Sequence, residues 1–258
     1  MNKQEIINKI TEKKEFSEIP LKDVELAYQK FEKRQCSDEE KIKLTRDLLK
    51  QVFTAFMGRK IMNPKNKDAR WFLLRHVSTK ERFDFYEKIY SRIFKNIKEK
   101  EISIIDLGSG INGLSYSFFK KTGKKVNYIG IEGVKQLVEV TNYFFKKNYI
   151  RAKVIHESLF ELKKIKKIIK KQKKPKICFL LKTVDSLEML KRNYTKEFFS
   201  EIVPLCDLFV VSFATRSFFK KQLFKVRRNW IINYIKENFD ILSDFIFETE
   251  RYIVFKKR

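Results

Sequence analysis

Ile102-Ser-Ile-Ile-Asp-Leu-Gly-Ser-Gly-Ile-Asn-Gly-Leu114 decides the fold. An apolar, β-branched run from Ile102 to Leu107 ends in a Gly-x-Gly-x-x-Gly turn at Gly108, Gly110 and Gly113. A helix-period stretch follows. These are three of only seven glycines in 258 residues, so their clustering carries information. Glycine admits positive φ and lets a ligand approach the backbone closely. A strand, such a turn and a helix start together make a nucleotide-sized site. An acid about twenty positions on, closing the next strand, can accept hydrogen bonds from ribose hydroxyls. Val126 to Ile131 is that strand and Glu132 that acid.

Two cofactors fit this pattern, a nicotinamide dinucleotide and S-adenosylmethionine. Asp106, just before the glycines, favours the second. Its carboxylate would oppose a pyrophosphate but suits an ammonium and a sulfonium. A tight turn that binds nothing is the remaining reading.

The chain is long enough for one sizeable domain and a smaller one. With 43% apolar residues, including 25 Phe, it can build a real core. Its 58 Lys plus Arg against 32 Asp plus Glu give a formal net charge of +26. Such a field attracts polyanions, above all nucleic acid, and a small-molecule enzyme has little use for it. Cys36, Cys178 and Cys206 show no disulfide framework or zinc spacing. Cys178 and Cys206 lie in apolar runs, so buried thiols in a reducing compartment are expected. The N-terminus is polar, without a signal-peptide pattern, and no run approaches the ~18 apolar residues of a membrane helix. A cytoplasmic monomer is the expectation. Two distant histidines, His76 and His156, offer no metal site.

Residues 1–100 read as helices. Ser37-Asp-Glu-Glu40 and Ser78-Thr-Lys-Glu81 have the capping-box pattern. The second precedes Phe83, Tyr86, Ile89, Tyr90, Ile93, Phe94 and Ile97, which predicts one long helix. Gly58 and Pro64 mark a break, with a polar loop over 63–67. From about 101 short apolar strands alternate with amphipathic helices, which implies βαβ units and a mostly parallel sheet. Strands are predicted near 102–107, 126–131, 152–156, 176–182 and 207–213. Helices fall near 113–121, 134–147, 160–171, 195–203 and 227–237. Two strand-like runs, 239–247 and 251–257, joined by a short link, predict a C-terminal antiparallel hairpin. This is an α/β, Rossmann-like sheet of seven strands, the class I methyltransferase arrangement, behind a helical N-terminal domain. The expected division is 1–76 and 77–258.

Lys163 to Lys174 holds eight lysines in twelve residues beside an apolar stripe of Leu162, Ile165, Ile168 and Ile169. A solvated helix face explains it, and phosphate contact is the alternative. Residues 216–228 point more directly to nucleic acid. Arg216, Lys220, Lys221, Lys225, Arg227 and Arg228 alternate with Phe218, Phe219 and Phe224, and no acid interrupts them. They leave the carboxyl edge of the sheet, where the ligand crevice lies. Basic side chains hold backbone phosphate, and aromatics stack on exposed bases.

These motifs, in this order, resemble the Arm/Rmt group of 16S ribosomal RNA guanine-N7 methyltransferases, the aminoglycoside-resistance type. His76-Val-Ser-Thr-Lys-Glu-Arg82 is similar to the group's His-x-Ser-Thr-x-Glu-Arg. Ile105-Asp-Leu-Gly-Ser-Gly-Ile-Asn112 is similar to its Asp-x-Gly-Cys-Gly-x-Asn. Leu180-Leu-Lys182 with Glu188, Ser212-Phe-Ala-Thr-Arg-Ser217 and Glu248-Thr-Glu250 resemble three further segments. The likeness runs from about residue 76 to the end, and before that the chain agrees only in being helical. Ser109, Gly113 and Ala214 depart from the pattern, and Phe218-Phe-Lys-Lys-Gln-Leu223 replaces its glycine-rich segment.

The resemblance implies S-adenosylmethionine as cofactor and small-subunit ribosomal RNA, free or in the assembled 30S subunit, as partner. It implies that Arg82 pairs with the cofactor carboxylate. Asp106 would hold the amino end and Glu132 the ribose. Gly108, Ser109, Gly110, Asn112, Gly133 and Leu181 would complete the cofactor site. His156 and Glu157, closing the third strand, fall at the adenine edge. Lys182, closing the fourth, is placed beside the transferred methyl, facing cofactor, target base or phosphate. His76 is either a site residue or a structural one. Guanine N7 has no proton to lose, so no general base is assigned. A non-catalytic ribosomal RNA-binding or assembly protein, and a methyltransferase for another RNA site such as adenine N1, are the rival readings. The helices before residue 76 are expected to dock RNA only, so that a chain starting near Asp68 would keep cofactor binding.

Overall fold

Strand β1 (Glu101–Leu107) is buried at every residue after the first. That is what a strand with parallel neighbours and both faces covered requires. The computed structural model describes residues 1–54, 67–215 and 228–258. The remaining strands are β2 (Lys125–Glu132), β3 (Ala152–His156), β4 (Lys176–Leu181), β5 (Leu208–Ala214), β6 (Phe239–Phe247) and β7 (Glu250–Lys257). Their order is β3-β2-β1-β4-β5-β7-β6, with β7 antiparallel to β5 and to β6. All seven strands, and the C-terminal hairpin, fall where the sequence predicts them. The order reverses between β1 and β4, which opens a crevice at the carboxyl ends of the strands.

The helices are α1 (Lys3–Glu12), α2 (Leu21–Gln29), α3 (Asp38–Leu49), α4 (Ala69–Leu73), α5 (Val77–Arg82) and α6 (Tyr86–Phe94), then α7 (Tyr116–Lys121), α8 (Lys135–Lys147), α9 (Leu162–Lys170), α10 (Val184–Leu190), α11 (Tyr194–Ile202) and α12 (Asn229–Asn238). Alternate strand residues feed two cores. Ile104, Tyr128, Phe179 and Tyr252 pack with residues of α4, α6, α7 and α8. Ile105, Ile129, Leu180 and Phe209 pack with residues of α9 to α12. A third core, with Ile6, Ile10, Phe16, Val24 and Leu49, holds α1 to α3 together. Leu190 of α10 belongs to it, so this helical unit is seated on the sheet domain. Phe72 and Leu73 of α4 belong instead to the sheet's core.

Several expectations are corrected. The long helix predicted after Ser78 is two helices, with a 3-10 turn at Phe83–Phe85 between them. Arg82 and Tyr86, on either side of this turn, are both buried. Ser78 caps nothing: α5 starts at Val77. Ser37 does cap α3, accepting from the Glu40 amide at 3.2 Å. Helix α10 was not expected. Cys178 and Cys206 are joined in a disulfide rather than free. Pairing of β4 with β5 brings their Cα atoms to 6.2 Å, although 28 residues separate them in the chain.

Candidate active site

The glycine turn behaves as its spacing requires. Gly108 and Gly110 have φ of +71° and +51°. A Cβ on Gly108 would also lie 2.7 Å from the Thr183 side chain. Gly113 serves packing instead: a Cβ there would meet Phe145 at 2.8 Å and Thr141 at 2.9 Å. The Gly108 and Ser109 amides both donate to the Ile131 carbonyl, at 2.8 and 3.0 Å, which pins the turn to the end of β2.

That pinning sets Glu132. Its Oε2 accepts from the Gly110 amide at 2.7 Å and its Oε1 from the Val134 amide at 2.9 Å. The carboxylate is thereby held rigidly at the cavity wall, and each oxygen keeps a lone pair for a ligand. Burial pushes its pKa up, against the pull of these amides. Asp106 Oδ2 accepts from Asn112 Nδ2 and from the Tyr128 hydroxyl, both at 2.8 Å. Asn112 is fixed from its other end by the Tyr86 hydroxyl at 2.9 Å. Burial lifts Asp106 to a pKa of about 6, while the Asn112 and Tyr128 hydrogen bonds and Arg82 hold it down.

One cavity, at the carboxyl ends of β1, β2 and β4, collects most of the expected residues. His76, Arg82, Asp106, Gly108, Ser109, Gly110, Asn112, Glu132, Gly133, Glu157, Leu181 and Lys182 all line it. His76 is buried, and its ring would lie 3.5 Å from a Cβ on Gly110. Burial, with Arg82 and Lys182 nearby, pushes its pKa down to about 4, so the ring is neutral at pH 7. His156 does not line the cavity; its Nε2 lies 3.0 Å from the Gly133 carbonyl and braces the β2–α8 turn.

Arg82 and Lys182 are not free cations. Arg82 forms a buried bidentate pair with Glu250, through Nε at 3.1 and 3.0 Å and Nη2 at 2.8 Å. The Ser212 hydroxyl donates to the same carboxylate. Lys182 Nζ meets Glu250 at 3.3 Å and also pairs with Glu81. Its backbone sits at φ +56°, a costly conformation for a residue with a long side chain. Two amide contacts with Ser212 hold it there.

Arg228 departs from the expected RNA surface. It is 8% exposed, and its guanidinium binds Asp185 at 3.2 and 2.5 Å and the Ala214 carbonyl at 2.6 Å. It ties the start of α12 to α10 and to the end of β5. Arg216, Lys220, Lys221, Lys225 and Arg227 lie outside the described residues, as do Gly58 and Pro64. The lysine-rich stretch follows the bland reading in part: Ile165 and Ile169 are fully buried, while Lys164 and Lys166 pair with Glu157 and Glu201.

Sequence reading missed the far wall. Asp23 of α2, with Val52 and Phe53 just beyond α3, lines the cavity, and so do Leu187 and Leu190 of α10. A signal existed in α2. Asp23 falls on the stripe of Val24, Ala27 and Tyr28, an acid where the helical period calls for an apolar residue. Among the described residues no group of three or more ligating side chains could hold a metal ion, and no helix is long and apolar enough to cross a membrane.

Comparison with known proteins fits this geometry. The structure matches the 16S rRNA methylase RmtB with a TM-score of 0.78 at 17% identity, over 100% of this chain and 99% of that one. It matches RmtF, solved in complex with S-adenosyl-L-homocysteine, at 0.78 and 16% over the whole of both chains. An rRNA methylase from Escherichia coli matches at 0.76 and 17%, again over both chains entirely. At these identities the likeness concerns the fold, and it takes in the N-terminal helices that agreed only in type by sequence. A curated relative, the 16S rRNA (guanine(1405)-N(7))-methyltransferase of Proteus mirabilis, is 34% identical over 68 residues. That stretch is 26% of this chain, and it spans only about a quarter, 24%, of the relative's length. The family model for ribosomal RNA methyltransferase (FmrO) matches residues 61–240, well over half of the chain. With the glycine turn, the clamped Glu132 and the seven-stranded order, that match places this chain in the FmrO family of ribosomal RNA methyltransferases.

Proposed function

We propose that the cavity binds S-adenosylmethionine and that the protein methylates guanine N7 in small-subunit ribosomal RNA. The observation that carries this reading is the Glu132 carboxylate, clamped by the Gly110 and Val134 amides at the carboxyl end of β2. The residues fit the cofactor. Glu132 suits a ribose diol and Asp106 an ammonium, while Val134, Leu187 and Leu190 offer an apolar slot for a base. They suit a pyrophosphate poorly. Arg82 and Lys182 are already neutralised, and two carboxylates would face its charge.

When bound, the cofactor supplies a methyl carbon on a sulfonium, open to in-line attack by the N7 lone pair. Guanine needs no base to act on it, so the chain's own work is alignment and exclusion of water. Asp106, held by Asn112 and Tyr128, would fix the amino end. The Arg82–Glu250–Lys182 cluster would shape the floor. Glu132→Ala should cost about 1–3 kcal/mol of cofactor affinity, because buried hydrogen bonds are lost without replacement. Titration calorimetry with S-adenosylhomocysteine measures it, and unchanged affinity would place the ribose elsewhere.

The charge of +26 favours RNA over protein or small-molecule targets. The basic residues within 216–227, which follow β5 in the sequence, are our proposed contact with the RNA backbone, in a monomer acting in the cytoplasm. Replacing Lys220, Lys221 and Arg227 together should flatten the dependence of log affinity on log salt by about 2–3, since each neutralised phosphate contributes slightly under one. Cofactor affinity should stay unchanged. Arg228 is left in place because it ties α12 to α10. A salt slope that does not move would shift the RNA surface to the α9 lysines or to the N-terminal helices. The decisive test of the whole reading is labelled cofactor with purified 30S subunits, then mapping of the modified nucleotide. Label at N7 of one guanine is expected; label at adenine N1, or none, would favour one of the two rivals.

A further inference from the structure

We infer that Asp23, carried in by the N-terminal helical unit, reads the amino edge of the adenine ring and makes the cavity selective for an adenosyl cofactor. This rests on the proposed cofactor site and adds a recognition residue to it. Asp23 is 3% exposed and lines the cavity. Its Oδ2 is buried with no hydrogen-bond partner among the described residues. An acceptor left open in a buried site is costly unless a ligand fills it. The Ser158 hydroxyl and Asp23's own backbone amide attract the carboxyl, and Oδ2 is still left open.

The surroundings identify the ligand edge. Glu132 and Glu157 both repel Asp23 electrostatically, which places it close to the expected ribose and to the end of β3. Ser158 and Phe160 follow directly after β3, and Leu187 and Leu190 of α10 stand on the same cavity. These side chains make an apolar slot for a flat ring with one polar rim. Asp23 is at that rim, in the first turn of α2. A ligand whose ribose rests on Glu132 and whose base enters this slot presents the base's outer edge to Asp23. A carboxylate there accepts an N–H and rejects a carbonyl oxygen, so it selects adenine over a 6-oxopurine. Burial, against the pull of Ser158, pushes the carboxyl up to about 7. A donor such as an exocyclic amine would favour the ionised form, and the site is unfavourable for that charge until the donor arrives.

The test compares S-adenosylhomocysteine with its inosine counterpart, in which oxygen replaces the amino group, on the full-length protein by calorimetry. The wild type should favour the adenosyl ligand by at least about tenfold. Asp23→Ala should weaken the adenosyl ligand by about tenfold and leave the inosyl ligand no weaker than in the wild type, so that the preference collapses. Asp23→Asn keeps the shape, and its amide can turn either end to the ligand. It should bind both ligands with little preference, and it carries the test if the alanine variant melts before assay. Equal weakening of both ligands, or no change in either, would reduce Asp23 to a packing residue and overturn the inference. Wild-type protein that binds neither ligand would overturn the cofactor reading itself, a separate and recognisable outcome.

Discussion

Glu250→Ala is expected to destabilise the protein by about 3–5 kcal/mol, the usual consequence of leaving a buried charge without its partner. Glu250 is 2% exposed and Arg82 is 4% exposed. The carboxylate takes three contacts from the Arg82 guanidinium, one from Ser212 and one from Lys182. Lys182 keeps Glu81 when Glu250 is gone. Arg82 loses its bidentate partner, so its desolvation is left uncompensated. The loss should also open the floor of the cavity, because this cluster joins α5, β4, β5 and β7. Glu250→Gln preserves the shape but not the charge and should fall between wild type and alanine. Urea unfolding of the three proteins measures the series. A loss under 1 kcal/mol on removing Glu250 would mean that Arg82 finds water or another acid.

The same pair predicts a pH signature. Burial pushes the Glu250 carboxyl up, but Arg82, Lys182 and the hydrogen bonds from Arg82 and Ser212 outweigh it and hold it below its ordinary 4.5. A depressed folded-state pKa gives stability that is complete above the unfolded value and is lost as pH falls through the folded one. The gap between wild type and Glu250→Ala should therefore be flat from pH 6 to 8 and shrink below about pH 4.5.

What could be read from the chain was local, and what could not was tertiary. The seven strands follow from short apolar runs, and the turn follows from three glycines whose φ and packing leave little choice. Glu132 follows from its distance along the chain. Contact between Arg82 and Glu250 joins residues 168 apart, and Arg228 meets Asp185 across 43. No periodicity reports such pairs. Arg228 looked like surface because its neighbours in sequence are basic, yet its partner stands on a seven-residue helix too short to announce itself. The cysteines were misread for a related reason, since strand pairing and not chain spacing brings them together. Asp23 was legible only as an exception to an apolar stripe, and that exception faces the cavity.

The N-terminal helices decide the second large effect. On sequence alone they look like a separate docking unit, so that a chain beginning at Asp68 would keep cofactor binding. Their placement argues otherwise. A Cβ on Gly133 would meet the Phe53 ring at 3.0 Å and Pro20 at 3.7 Å, so this unit lies directly on the β2–α8 turn that follows Glu132. Val52, Phe53 and Asp23 line the same cavity as the glycine turn, and Leu190 of α10 packs in the N-terminal unit's own core. Removing residues 1–67 takes away that wall and the apolar neighbours of Leu190. Two apolar side chains withdrawn from a ligand are worth about 3 kcal/mol, or roughly a hundredfold in affinity. Calorimetry with S-adenosylhomocysteine should show that loss, with circular dichroism confirming that the sheet remains folded. Phe53→Ala in the full-length chain should show a smaller loss in the same direction, free of any folding ambiguity. Cofactor binding retained in both proteins, with methylation of 30S subunits lost only in the truncated one, would restore the helices to docking alone. Loss of binding in both would make them part of the pocket, so that the unit proposed to meet RNA would also close over the cofactor.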